Sequence, residues 1–170
     1  MEMKKVMQYY IVVFVMKGRK YFTIWYTDDK DGFVLNSEGR IEIFKTEIDV
    51  REFLQKKQMK PGEKVTFFDC DELGTMNYEH IDCSKVLDFW NIITDISYSV
   101  NEDFIGRTKS EEILNIYDKL FYGCNLPASN RTDEKYVPEW SAKEQMMISN
   151  VINDGLRIIE KTIGYKGDKI

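Results

Sequence analysis

Alanine is almost absent from this chain: Ala128 and Ala142 are the only two among 170 residues. Isoleucine, lysine, asparagine, tyrosine and phenylalanine are abundant instead, the bias that AT-rich codons produce, which points to a low-GC bacterium. Cys70, Cys83 and Cys124 are odd in number and form no CxxC pair, which argues against a disulfide framework. No apolar run approaches the roughly 18 residues of a membrane span. The run from Tyr9 to Met16 has eight residues, ends in Lys17-Gly18-Arg19 and lacks a small-residue cleavage site. It therefore reads as a buried strand and not a signal peptide. A soluble, cytoplasmic protein is expected. Phosphate-cradling and nucleophile motifs are missing too: there is no GxGxxG, no GxxxxGK followed by Ser or Thr, and no GxSxG.

What is present is ordinary for a folded chain. Hydrophobic residues at 43% against charged residues at 31% exclude disorder, and 14% aromatics supply a core with rings left over for a surface. One domain spanning 1–170 is expected, with a β-rich half (1–80) and a helical half (81–170) sharing one core.

The fold class read from the pattern is α+β: an N-terminal antiparallel β meander with one short helix, packed on a C-terminal three-helix part. Tyr9 to Met16 and Tyr21 to Thr27 are strands joined by Lys17-Gly18-Arg19. Asp28-Asp29-Lys30-Asp31-Gly32 and Asn36-Ser37-Glu38-Gly39 are turn chemistry bracketing a strand at Phe33 to Leu35, and Arg40 to Lys45 alternates as another. Thr46 and Asp49 open a helix with Val50, Phe53 and Leu54 inward, and Val65 to Phe68 is a further strand. From Asp82 to Val100, the residues Val86, Phe89, Trp90, Ile93, Ile96 and Val100 recur at helical spacing. Capping boxes at Thr108/Glu111 and Ser141/Glu144 open two more helices. Gly155 interrupts the apolar seam of the last one, which predicts close helix packing there.

The net charge of −5 is unevenly spread. Between Asp69 and Asp103 nine carboxylates face Lys85 alone, leaving that stretch at −8 and the rest of the chain at +3. A field of one sign favours oppositely charged partners and speeds their encounter. Direct nucleic-acid binding needs clustered Lys and Arg and is not expected; nor is membrane binding. On the second-half helix, Asp88, Asn91, Asp95, Tyr98 and Glu102 fall at steps of three, four, three and four, forming one stripe with no lysine in it. With Asp69, Asp71 and Glu72 at the preceding strand end, these are the candidate partner-binding residues. Carboxylates around a tyrosine suit a basic protein surface.

His80 lies beside Glu79, Asp82 and Cys83, and a general acid/base site or a Cys–His pair can be drawn there. Asp69 and Asp71 at i and i+2 of a strand could serve a metal-dependent hydrolase. Neither spacing is a recognised signature, and His80 with the three cysteines fits no zinc pattern. No catalytic residue, metal or cofactor is expected; a small enzyme using His80 and its neighbouring acids, or an adaptor, is the alternative.

Three segments carry a family likeness: Asp88-Phe89-Trp90-Asn91, Tyr117-Asp118-Lys119-Leu120-Phe121-Tyr122-Gly123 and Tyr136-Val137-Pro138-Glu139-Trp140-Ser141. With the acidic charge and the β-then-α pattern, the chain resembles bacterial immunity proteins of contact-dependent growth inhibition and related polymorphic toxin systems. The resemblance implies a protein that binds a cognate toxin tightly and blocks its active site. It carries over no site residues, because such families share no catalytic positions. Many of these toxins are basic nucleases, for which an acidic stripe would mimic nucleic-acid phosphates.

Overall fold

The computed structural model describes residues 6–164. Residues 8–16 and 19–27 form β1 (Gln8–Met16) and β2 (Arg19–Thr27), an antiparallel hairpin with Ile11 opposite Ile24 and Phe14 opposite Tyr21. Lys17 and Gly18 turn the chain with φ of 50° and 71°, the positive pair that a two-residue hairpin needs to match strand twist. Then come β3 (Gly32–Phe33), α1 (Glu47–Lys56), β4 (Thr66–Asp69) and α2 (Cys70–Gly74). The second half holds α3 (Cys83–Ser99), a 3-10 turn at Ile105–Arg107, α4 (Glu111–Gly123) and α5 (Ala142–Thr162).

The α+β class holds, but the sheet is mixed and not an antiparallel meander. Its order is β3-β2-β1-β4, and β4 runs parallel to β1. Helix α1 is the crossover that carries the chain from one edge to the other, as a parallel pairing requires. The expected strands at Phe33 to Leu35 and Arg40 to Lys45 shrink to the two-residue β3 and to bridges joining Leu35 with Ile41 and Phe22 with Phe44. The Asn36–Gly39 turn folds this segment on itself before a full ladder can form: Asn36 Oδ1 accepts from the backbone N–H of Glu38 and of Arg40.

Helices on both faces of the sheet explain the unbroken apolar run in β1, where Ile11, Val12, Val13 and Phe14 are all buried. Ile11, Val13, Phe22 and Ile24 pack against Val50 and Leu54 of α1. Val12, Phe14 and Tyr21 join the larger cluster built from α3, α4 and α5. Thr23, fully buried in β2, satisfies its hydroxyl by donating to the Val12 carbonyl at 2.8 Å.

Helix starts follow local chemistry. Thr46 Oγ1 accepts from Asp49 N–H, and Ser141 with Glu144 forms a complete reciprocal capping box. The cap of α4 is Ser110, not Thr108: Thr108 closes the 3-10 turn, its backbone N–H donating to the Ile105 carbonyl, and Ser110 Oγ accepts from Ile113 N–H. The connection after α4 is pinned by Asn125, whose side chain bonds the N–H and the carbonyl of Tyr136. Among the described residues no helix is long and apolar enough to cross a membrane.

Gly155 meets α3 face to face. A Cβ there would lie 2.8 Å from Phe89 Cε1 and 3.1 Å from Ile93 Cγ1. Gly155→Val is therefore expected to cost about 2 kcal/mol by overpacking, despite valine's better helix propensity. Urea denaturation checks this; a variant as stable as the parent would show that the two helices can part freely.

Candidate functional site

The acids that look alike in sequence do different work in the fold. Asp69 caps α2 by accepting from Glu72 N–H at 3.0 Å, and Asp82 caps α3 by accepting from Lys85 N–H at 3.1 Å. Asp71 accepts from the backbone N–H of Lys17 (2.8 Å) and Gly18 (3.0 Å), tying α2 to the hairpin turn. Those bonds, Gly18's first, hold its carboxyl below the ordinary range. Asp69 and Asp71 are thus not a same-side strand pair, because the chain enters α2 between them. Glu72 is ion-paired with Lys85 at 2.6 Å.

The stripe on α3 is similarly divided. Asp88 stays exposed, its carboxyl shifted upward by burial while Lys64 pulls it down. Asn91 accepts from the Tyr117 hydroxyl at 2.7 Å, joining α3 to α4. Glu102, just beyond the helix, is clasped by Lys161 (3.0 Å) and Arg157 (3.3 Å) of α5, and the Lys161 hydrogen bond is what most lowers its pKa. The one-signed stripe is therefore neutralised at its C-terminal end. Cations supplied by another element do not register in the periodicity of one helix.

Asp95 and Tyr98 remain, and the structure brings them together at an open groove of about 490 Å³ between β2 and α3, lined also by Tyr26, Lys30, Asp31 and Ser99. Asp95 is half-buried. Its Oδ2 accepts from the Trp25 indole N–H at 2.9 Å, which is the hydrogen bond it receives among the described residues. Burial pushes its carboxyl up to about 6; the Trp25 bond works against that rise and Asp31 adds to it. Tyr98 is 63% exposed, with the Arg107 guanidinium 3.6 Å from its ring centroid. Arg107 is held in turn by the Ser97 hydroxyl and the Glu102 carbonyl, which keeps its guanidinium against the ring.

The groove wall is built tightly. Ser99 Oγ accepts from Phe33 N–H and donates to the Asp95 carbonyl, stitching β3 to α3. The Tyr26 phenol lies over Gly32, where an added Cβ would be 2.6 Å from its hydroxyl, so only glycine leaves the ring in place. Trp25, Tyr26, Lys30, Asp31 and Ser99 were not among the residues the sequence singled out. The turn run Asp28 to Gly32 was the available signal, but nothing in it says which helix the turn meets.

His80 is exposed on the loop before α3, while Cys70 and Cys83 are buried. Burial, then Asp71 and Asp69, push the Cys70 thiol up to about 12; burial, then Cys124 and Asp82, raise Cys83. Thiols in such surroundings stay protonated and are poor nucleophiles. Among the described residues no group of three or more His, Cys, Asp or Glu is placed to hold a metal ion.

No protein-family model matches the chain, and no curated protein matches it. It is similar to a solved structure of the SatS C-terminal domain in complex with bromine. The identity is 12%, covering 91% of this chain and 90% of that one, with a TM-score of 0.46. A likeness at that level assigns no function here.

Proposed function

We propose that this protein is a non-enzymatic inhibitor of the immunity type, which binds a basic toxin domain, a nuclease, and occludes its active site. The observation that carries this reading is Asp95: a half-buried carboxylate held at a groove by one neutral donor, beside the exposed Tyr98. Keeping a charge partly out of water without a cation of its own is costly, and such groups concentrate at functional sites. The excess of −8 between Asp69 and Asp103 supports the same reading by favouring a basic partner. Asp88 and Asp95 would contact arginines and lysines that otherwise hold substrate, and Tyr98 would supply rigid contact area.

Reversing both acids to lysine would confuse binding with folding, because a lysine at position 95 would push a cation against the Trp25 indole N–H. Asp88→Lys combined with Asp95→Asn avoids that clash. The experiment is co-expression with the product of the neighbouring upstream gene, this chain being tagged. The expected result is a stoichiometric complex whose partner is toxic alone, with an association rate that falls steeply with salt. The double variant should weaken the complex at least a hundredfold, mostly through faster dissociation. A chain that purifies alone beside a well-expressed neighbour, or a complex indifferent to both substitutions, would overturn the proposal.

A further inference from the structure

We infer that the groove between β2 and α3 is a socket for one arginine side chain of the partner protein. This deepens the inhibitor reading and rests on it. Within the lining Asp31 and Asp95 outweigh Lys30, which favours a cation at the Asp95 end of the groove. Arg107 does not line the groove but lies against the Tyr98 ring, so the occupant's charge must sit on the side of the two carboxylates. Its walls select the shape. Tyr26 and Tyr98 offer ring surface, and a planar guanidinium stacks on such surface better than a compact ammonium does. Arg107 already shows this chemistry in the chain itself, its guanidinium lying against the Tyr98 ring at 3.6 Å.

Asp95 supplies the directional contact. Trp25 takes Oδ2, and Oδ1 receives no hydrogen bond from the described residues, so one oxygen is left to accept a bond from an incoming donor. Asp31, on the turn before β3, faces it from the other element. A guanidinium between them would bring opposite charge to a carboxylate that burial disfavours, and a planar fork meets a carboxylate with more than one N–H. The groove is about the size of a small-ligand site, ample for one long side chain. Lys30 at the same groove is the built-in competitor, and its removal should improve binding.

The test uses N-acetyl-arginine amide as the probe and the Trp25 indole N–H resonance as the reporter, since that proton is bonded to Asp95. Titration should give a saturable shift with a dissociation constant in the low millimolar range, as expected for a single side chain. Asp95→Asn, which keeps an acceptor for Trp25, should abolish saturation. Tyr98→Ala should weaken binding roughly fivefold and Lys30→Gln should tighten it roughly twofold. N-acetyl-lysine amide should bind more weakly, and N-acetyl-glutamine amide should not saturate. No saturable shift, an equal response to the glutamine probe, or lysine binding as well as arginine would overturn the socket. The two proposals fail separately. If the toxin complex forms, is weakened by Asp88→Lys and is unchanged by Asp95→Asn and Tyr98→Ala, the socket is wrong and the inhibitor reading stands on the acidic surface alone. If the probe binds as described and no basic partner is found, the inhibitor reading is wrong.

Discussion

Asp95→Asn is expected to make the protein more stable at pH 7 and a weaker binder. In the folded chain the Asp95 carboxyl is raised to about 6 from an ordinary 3.8, chiefly by burial. A raised carboxyl binds its proton more tightly when folded than when unfolded, so its favourable contribution is fully present below pH 4. That contribution is lost as pH climbs from about 4 through 6. At pH 7 the wild type therefore carries a charge where a neutral group fits better. The asparagine variant has no such group and still accepts the Trp25 N–H. A full shift of that size would correspond to roughly 3 kcal/mol, but Asp95 remains partly in solvent, which reduces it to about 1 kcal/mol. For a chain of this length that is about 3 °C in melting temperature. Lys30 and Asp31 from the turn, Trp25 and Tyr26 from β2, and Tyr98 with Arg107 beyond it surround the group, and none of them changes in the variant. Calorimetry of both proteins at pH 4, 5, 6 and 7 checks the sign: the variant's advantage should vanish by pH 4. An asparagine that destabilises equally at every pH would show that the carboxylate is comfortable where it is. Losing a charged acceptor should meanwhile cost at least tenfold in partner affinity. A substitution that improves the fold and damages binding marks a residue kept for function.

Trp90→Ala is expected to give the largest loss of stability in the chain. Trp90 is 2% exposed, its indole N–H donates to the Gly106 carbonyl at 3.0 Å, and its ring meets Tyr117 edge-on at 5.4 Å. It thereby joins α3 to the 3-10 turn and to α4 at once. Removing it leaves a large cavity and an unpartnered carbonyl, a loss of about 3–5 kcal/mol against the 5–15 kcal/mol total of a typical domain. Gly106 shows how closely the turn is seated: a Cβ there would lie 2.7 Å from Trp90 Nε1. Trp90→Phe, which fills most of the space but cannot donate, should cost about 1–2 kcal/mol. Denaturant unfolding of the pair separates the two contributions. A loss below about 1.5 kcal/mol for alanine would mean that the surrounding helices collapse into the space.

The periodicity of α3 and α5, the hairpin of β1 and β2 and the capping pairs at Thr46 and Ser141 were legible from residue order, because each depends on neighbours within one or two turns of chain. So was the tight approach at Gly155, since a glycine inside an apolar seam has few other uses. Strand direction was not legible. An apolar run at Val65 to Phe68 reads the same whether it pairs with β1 parallel or antiparallel, and only the path of α1 across the sheet decides it. The acidic surplus between Asp69 and Asp103 was equally plain from composition, but its meaning was not. Ion pairs and caps are made between elements, so the fold alone assigns Asp69 and Asp82 to helix ends, Asp71 to the hairpin turn and Glu102 to the cations of α5. It also leaves Asp95 as the stripe carboxylate that burial raises furthest, because the β2–β3 turn and Trp25 close over that one position of the helix and shut out part of its water.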